Sequence, residues 1–250
     1  MISKNRIKHI HSLELKKNRE KEQLFVAEGP KLVGDLLAVS TPAALIATEY
    51  WYADNGINPR AADSVVTQDE LLKASFLQHP QQVIGIFPIP HKTVSADICT
   101  KELCLALDGI QDPGNLGTII RLAEWFGIST IFCGDGTADT FSPKVVQATM
   151  GSIARVNVVY TGLCRLISSL PADTPVYATS LDGKNIYEQE LTPAGLIIMG
   201  NEGKGVSPQV MSMVNRTIFI PRYCGGNGID SLNVAIATAV TCAEFRRRNK

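Results

Sequence analysis

From Lys101 to its end the chain alternates short, almost purely apolar runs with longer stretches whose apolar residues recur at helical spacing. Few folds accommodate that pattern. Leu103-Cys104-Leu105-Ala106-Leu107 is apolar at every position, which suits a strand covered on both faces. Comparable runs fall at residues 130–133, 156–160, 176–179, 196–199 and 217–220. Between them, helices are expected after Ser142-Pro143, over 163–170, after Ser207-Pro208, and from Ser231 to Arg246-Arg247-Arg248. Such alternation predicts an α/β domain with a largely parallel sheet, helices on both faces and ligands at the C-terminal strand ends.

Three strand-to-helix junctions carry polar residues that such turns do not require. The first leaves the strand at Asp108-Gly109, passes Gln111-Asp112-Pro113-Gly114 and enters a helix at Asn115, a favoured N-cap residue. Leu116, Ile119, Ile120 and Ala123 mark the buried face of that helix, and Arg121 falls off it, one turn after Gly117. The second junction is Gly200-Asn201-Glu202-Gly203-Lys204-Gly205. Three glycines in six residues permit close backbone approach, yet the spacing matches neither a dinucleotide-binding loop nor a Walker loop. The third is Ile218-Phe219-Ile220-Pro221, followed by Ser231-Leu232-Asn233-Val234-Ala235. Each has a plain structural reading as a cap or a turn. Asn233 fits that reading least, because asparagine inside an Ala-rich helix lowers its propensity.

The first third is built differently. Residues 4–21 carry Lys4, Arg6, Lys8, Lys16, Lys17, Arg19 and Lys21 against Glu14 and Glu20. They read as a basic helix, a solvated face or a phosphate-contacting arm with Lys16, Lys17 and Arg19 at its centre. Strands at 24–27, 43–47, 64–67 and 82–87, with helices at 30–39 and 68–77, make a small α/β domain. Pro88-Ile89-Pro90 begins an aperiodic segment read as a linker. The expected division is therefore 1–90, a linker at 91–101, and 102–250.

With 24 basic and 24 acidic residues, net charge gives no support for nucleic-acid binding, so any RNA footprint must be local. No window approaches the length of a membrane span, and the N-terminus lacks the apolar core of a signal peptide. Six cysteines without a Cys-x-x-Cys pair read as reduced thiols in the cytoplasm, not as a disulfide or zinc framework. No metal is expected; His9-x-His11 has no supporting ligands.

Taken in order, the three junctions resemble the signatures of the SpoU (TrmH-like) RNA 2'-O-methyltransferases. Asn115, Gly117 and Arg121 match Asn-x-Gly-x-x-x-Arg; the loop at 200–205 matches Gly-x-Glu-x-x-Gly; Pro221 and Ser231-Leu232-Asn233-Val234 match the third. The run from Arg19 through Phe25-Val26-Ala27-Glu28-Gly29 is similar to the L30e-like substrate-binding domain of many members. The resemblance implies a trefoil-knotted SPOUT domain, a homodimer, and S-adenosylmethionine held at Thr179, Gly200, Ile220 and Leu232. It implies transfer of a methyl group to a ribose 2'-hydroxyl in RNA, ribosomal RNA before tRNA. The catalytic residues implied are Arg121, Asn115, Glu202, Ser231 and Asn233. An inert RNA-binding dimer of the same fold is the rival reading. Two departures stand out: the long link at 222–230, and Gln147 with Thr149-Met150-Gly151-Ser152 where the family often carries Arg and Ser-x-Gly-Ala.

Overall fold

A computed structural model describes residues 2–91, 93–223 and 231–248. The strands in chain order are β1 (Leu24–Glu28), β2 (Ala44–Thr48), β3 (Ser64–Val66), β4 (Val83–Pro88), β5 (Leu103–Asp108), β6 (Thr130–Cys133), β7 (Asn157–Tyr160), β8 (Val176–Asn185), β9 (Gly195–Gly200) and β10 (Arg216–Phe219). The helices are α1 (Lys4–Ser12), α2 (Lys16–Glu22), α3 (Pro30–Leu37), α4 (Glu49–Asp54), α5 (Gln68–Ala74), α6 (Pro113–Trp125), α7 (Pro143–Ala148), α8 (Leu163–Ser168), α9 (Pro208–Met211) and α10 (Val234–Arg248). They form two compact units: Met1–His91 with Asp139–Ala154, and Lys92–Ala138 with Arg155–Lys250.

The first unit is a four-stranded sheet in the order β1-β4-β2-β3, antiparallel except for the β2–β3 pair. Alternation along β1 sends Phe25 and Ala27 to one core and Val26 to the other. The core around Phe25, Leu32, Leu36 and Trp51 is completed by Val146 and Ile153 from the 139–154 segment. A division at residue 90 does not anticipate this, because the segment's local pattern gives no sign of where it packs. The basic stretch is two helices, not one. Arg19, which is 3% exposed, donates from Nη1 to the carbonyls of Leu13 and Glu14 at 2.6 Å each and fixes the break. Its Nη2 reaches Asp139 Oδ2 at 2.5 Å. Arg19 is therefore corrected from a phosphate contact to a buried structural cation, whereas Lys16 and Lys17 are exposed.

The second unit is a six-stranded sheet in the order β10-β8-β9-β5-β6-β7, parallel throughout. From β5 the chain builds outward to β7, crosses over, and later inserts β9 between β8 and β5. Cys104, Ala106, Phe132 and Ile198 face the side covered by α8 and α9. Tyr177 faces the other, where Phe245 of α10 meets it edge-on at 4.9 Å. The expected linker is partly core: Ser95 caps a single turn at Ala96–Thr100, and Cys99 is fully buried. Cys99, Cys104, Cys133 and Cys242 are buried and unbridged; Cys224 lies outside the described residues.

The basic end of α10 is engaged, not free. Arg246 donates to the carbonyls of Phe126 and Gly127, closing the C-terminus of α6. Arg247 and Arg248 pair with Glu244 at 2.8 and 2.7 Å, and their hydrogen bonds, chiefly that of Arg247, hold its carboxyl at about 2. A depressed carboxyl stabilises the fold above its unfolded value, near 4.5, and that contribution is lost as pH falls from there towards 2. The expected result is that Glu244→Gln lowers the thermal midpoint at pH 7 and narrows its gap to the wild type at pH 3. A gap independent of pH would contradict the pairing.

Candidate active site

Because the sheet is parallel, β5, β8, β9 and β10 all present their C-terminal ends at one edge, and they are consecutive in it. The β5–β9 ladder closes at Asp108 opposite Gly200. On β8 the pairing with β10 skips from Ala178 to Lys184, so 179–183 bulge out of the ladder within the strand. Thr179 follows Ala178, which pairs with both neighbouring strands; Gly200 closes β9, Ile220 directly follows β10, and Leu232 and Asn233 precede α10.

At this edge three of the expected catalytic residues meet. Asn233 caps α10: its Oδ1 accepts from the N–H groups of Ala235 at 2.9 Å and Ile236 at 3.3 Å. The helix thus fixes which way the amide lies, so Nδ2 points away and donates to Asn115 Oδ1 at 3.0 Å. Asn115 in turn donates from Nδ2 to Glu202 Oε1 at 3.0 Å. A carboxylate only accepts, so the relay has one direction, from helix cap to carboxylate. The propensity argument for Asn233 is corrected: it stands at the cap, where asparagine is favoured. Asn115 is likewise not the cap of α6. Asp112 fills that role, accepting from the Asn115 N–H at 2.8 Å, and the freed Asn115 side chain serves the relay.

Arg121 lies six residues beyond Asn115, roughly 9 Å along the helix. It is exposed, and among the described residues it makes no hydrogen bond or ion pair. The relay therefore does not touch it. Gly117, one turn before Arg121 on the same side of α6, is buried. Ser231 and Leu232 are exposed. Thr179 uses its hydroxyl on the carbonyl of Ile198 at 3.3 Å. Gly200 has a different reason to be glycine: a Cβ there would stand 2.2 Å from the backbone of Gly205 and Val206.

The family profile described as SpoU rRNA Methylase matches residues 102–243, more than half of the chain. The chain belongs to the SpoU rRNA methylase family. Residues 4–85 match the MRM3-like substrate binding domain. The SpoU chain is 30% identical over 248 residues to the 23S rRNA (guanosine(2553)-2'-O)-methyltransferase RlmP of Bacillus subtilis, covering 96% of each protein. Among solved structures, a putative RNA methyltransferase of the TrmH family from Porphyromonas gingivalis aligns with TM-score 0.86 and 39% identity, covering 99% of both chains. An AdoMet-bound rRNA methyltransferase from Sinorhizobium meliloti aligns with TM-score 0.85 and 30% identity over 99% of this chain and 96% of that one.

Reading the SpoU signatures alone passes over three residues that shape this edge. Asp112 caps α6. Asp108 Oδ2 accepts from the Ser207 N–H at 2.7 Å. Asn201, a variable position of its signature, winds the 200–205 loop around its own amide. Only Asp112 had a local signal, an acidic residue directly before Pro113. The link at 222–230 lies, from Cys224 to Asp230, outside the described residues.

Proposed function

We propose that this SpoU protein transfers a methyl group from S-adenosylmethionine to a ribose 2'-hydroxyl in ribosomal RNA. The relay Asn233–Asn115–Glu202 at the edge where the parallel strands end is the observation that carries this reading, with Arg121 exposed on the helix that bears Asn115. An inert binder would have no need of a directed polar relay at that edge.

The donor set fits an adenosine. Three neighbouring strands carry or lead into backbone groups at Thr179, Gly200 and Ile220, and Leu232, 52% exposed, offers an apolar surface for a base. When bound, S-adenosylmethionine supplies an electrophilic methyl group. The rest of the chemistry belongs to the chain. Arg121 presents up to five donors in a planar fork. Its role is to clamp a phosphate and to stabilise negative charge on the 2'-oxygen as that hydroxyl passes its proton to solvent water. Asn115 and Asn233, held by the α10 cap, fix the neighbouring wall against the ribose, and Glu202 anchors the relay. Ser231 adds a hydroxyl at the same edge.

Support for ribosomal RNA comes from the MRM3-like domain and from the rRNA activity named for the B. subtilis relative. We also assign the protein a homodimeric state and a trefoil knot. The dimer is supported by Trp125 on α6, Ile236 on α10 and Leu232 just before α10, which are 82%, 55% and 52% exposed. Among the described residues no helix is long and apolar enough to cross a membrane.

Mapping 2'-O-methyl positions in total RNA from cells with and without the gene tests the function. One ribosomal position should lose its methyl group without the gene; a lost methyl in tRNA, or an unchanged map, would refute the reading. For the basic arm, Lys16→Ala with Lys17→Ala should flatten the slope of log affinity for RNA against log salt by about 1.4 to 1.8. An unchanged slope would remove both lysines from the RNA footprint.

A further inference from the structure

Glu202 sits on a loop rich in glycine, and a side chain on such a loop is only as well placed as the loop itself. The structure shows what holds it. The Asn201 Oδ1 accepts from the N–H groups of Gly203 at 3.0 Å and Lys204 at 3.1 Å. Its Nδ2 donates to the Gly109 carbonyl at 2.7 Å. Its backbone N–H and carbonyl pair with those of Gly205 at 2.9 Å each. At the far end of the loop, Asp108 takes the Ser207 N–H at 2.7 Å. Residues 201–207 are thus fastened at both ends to two consecutive residues at the end of β5. Gly109 has φ +74° and Gly205 φ +69°, conformations that keep these bonds aligned and that L side chains rarely adopt.

We propose that Asn201 is a positioning residue for methyl transfer, acting through Glu202 and Asn115 and touching neither RNA nor methyl donor. This rests on the assignment of Asn115 and Glu202 to the active site. The residue type follows from the geometry. Two N–H groups need an acceptor, and a carbonyl on the opposite side needs a donor; a primary amide supplies both. Aspartate keeps the acceptor but turns a second oxygen towards the Gly109 carbonyl. Alanine removes both.

The test compares wild type, Asn201→Asp, Asn201→Ala, Asn115→Ala and the Asn115→Ala/Asn201→Asp pair, with ribosomal RNA and S-adenosylmethionine as substrates. Each Asn201 variant should lower kcat by about 10- to 100-fold, since displacement of a positioned group by about 1 Å costs on that order. KM for RNA and Kd for S-adenosylmethionine should stay within about threefold of wild type, because the amide meets neither ligand. In the Asn115→Ala background, Asn201→Asp should cost less than about threefold more, because the two act in one chain of contacts. Unchanged kcat in Asn201→Asp overturns the proposal. So do fully multiplicative losses, or a loss of kcat accompanied by lost cofactor affinity and a lowered thermal midpoint, which would mark general loop collapse. Wild-type kcat in Asn115→Ala would instead overturn the active-site assignment, so the two failures are distinguishable.

Discussion

Arg121→Ala should lower the single-turnover rate of methylation by about 10²- to 10³-fold, or roughly 3–4 kcal/mol of transition-state stabilisation. The fold should be indifferent to the change. Arg121 is exposed on α6 and has no partner among the described residues, and alanine is at least as good a helix former. The thermal midpoint should therefore move by no more than about 2 °C. Affinity for S-adenosylmethionine should also hold, since Thr179, Gly200, Ile220 and Leu232 lie on other elements. Arg121→Lys keeps the charge without the planar fork and should recover only a small part of the rate. A methylation rate for Arg121→Ala within about threefold of wild type would remove the guanidinium from the chemistry.

The second large effect concerns stability. Arg19→Met deletes the charge partner of Asp139 and strips two carbonyls of their donors. Breaking a buried pair from one side costs about 3–5 kcal/mol. Asp139 keeps 20% of its side-chain surface exposed, which favours the lower figure. A loss of about 3 kcal/mol in a chain of this size lowers the thermal midpoint by roughly 6–12 °C. Lys16→Ala and Lys17→Ala should leave it within about 2 °C, because both side chains are solvated and surface pairs contribute little. If instead Arg19→Met kept its midpoint and flattened the salt slope of RNA binding, Arg19 would be a phosphate contact after all.

That contrast shows where the sequence stops being informative. Lys16, Lys17 and Arg19 are indistinguishable as letters in a basic run. What separates them is a carboxylate 120 positions away, in a segment that packs into the first unit. Local patterning cannot report such a contact. By contrast, β5 was legible because a strand covered on both faces must be apolar throughout. Asn115, Glu202 and Asn233 were legible through the resemblance of their junctions to the three SpoU signatures, and a parallel sheet brings the strand ends that bear such junctions to one edge. Their mutual geometry was not. The cap at Asn233 depends on the helix beginning at Val234, three residues beyond Ser231. Asn201 carried no signal either, since a turn tolerates many residues there and only the Gly109 carbonyl requires an amide.

The most direct test of the central claim is the chemical position of the methyl group. Purified protein, S-adenosylmethionine labelled in its methyl group and ribosomal RNA would be incubated, and the RNA then hydrolysed in alkali. Cleavage by alkali requires a free 2'-hydroxyl, so a methylated ribose protects its own 3' bond. The expected result is label recovered in one alkali-stable dinucleotide, and none with Arg121→Ala. Label released in mononucleotides, as a methylated base would give, or no label at all, would contradict the assignment.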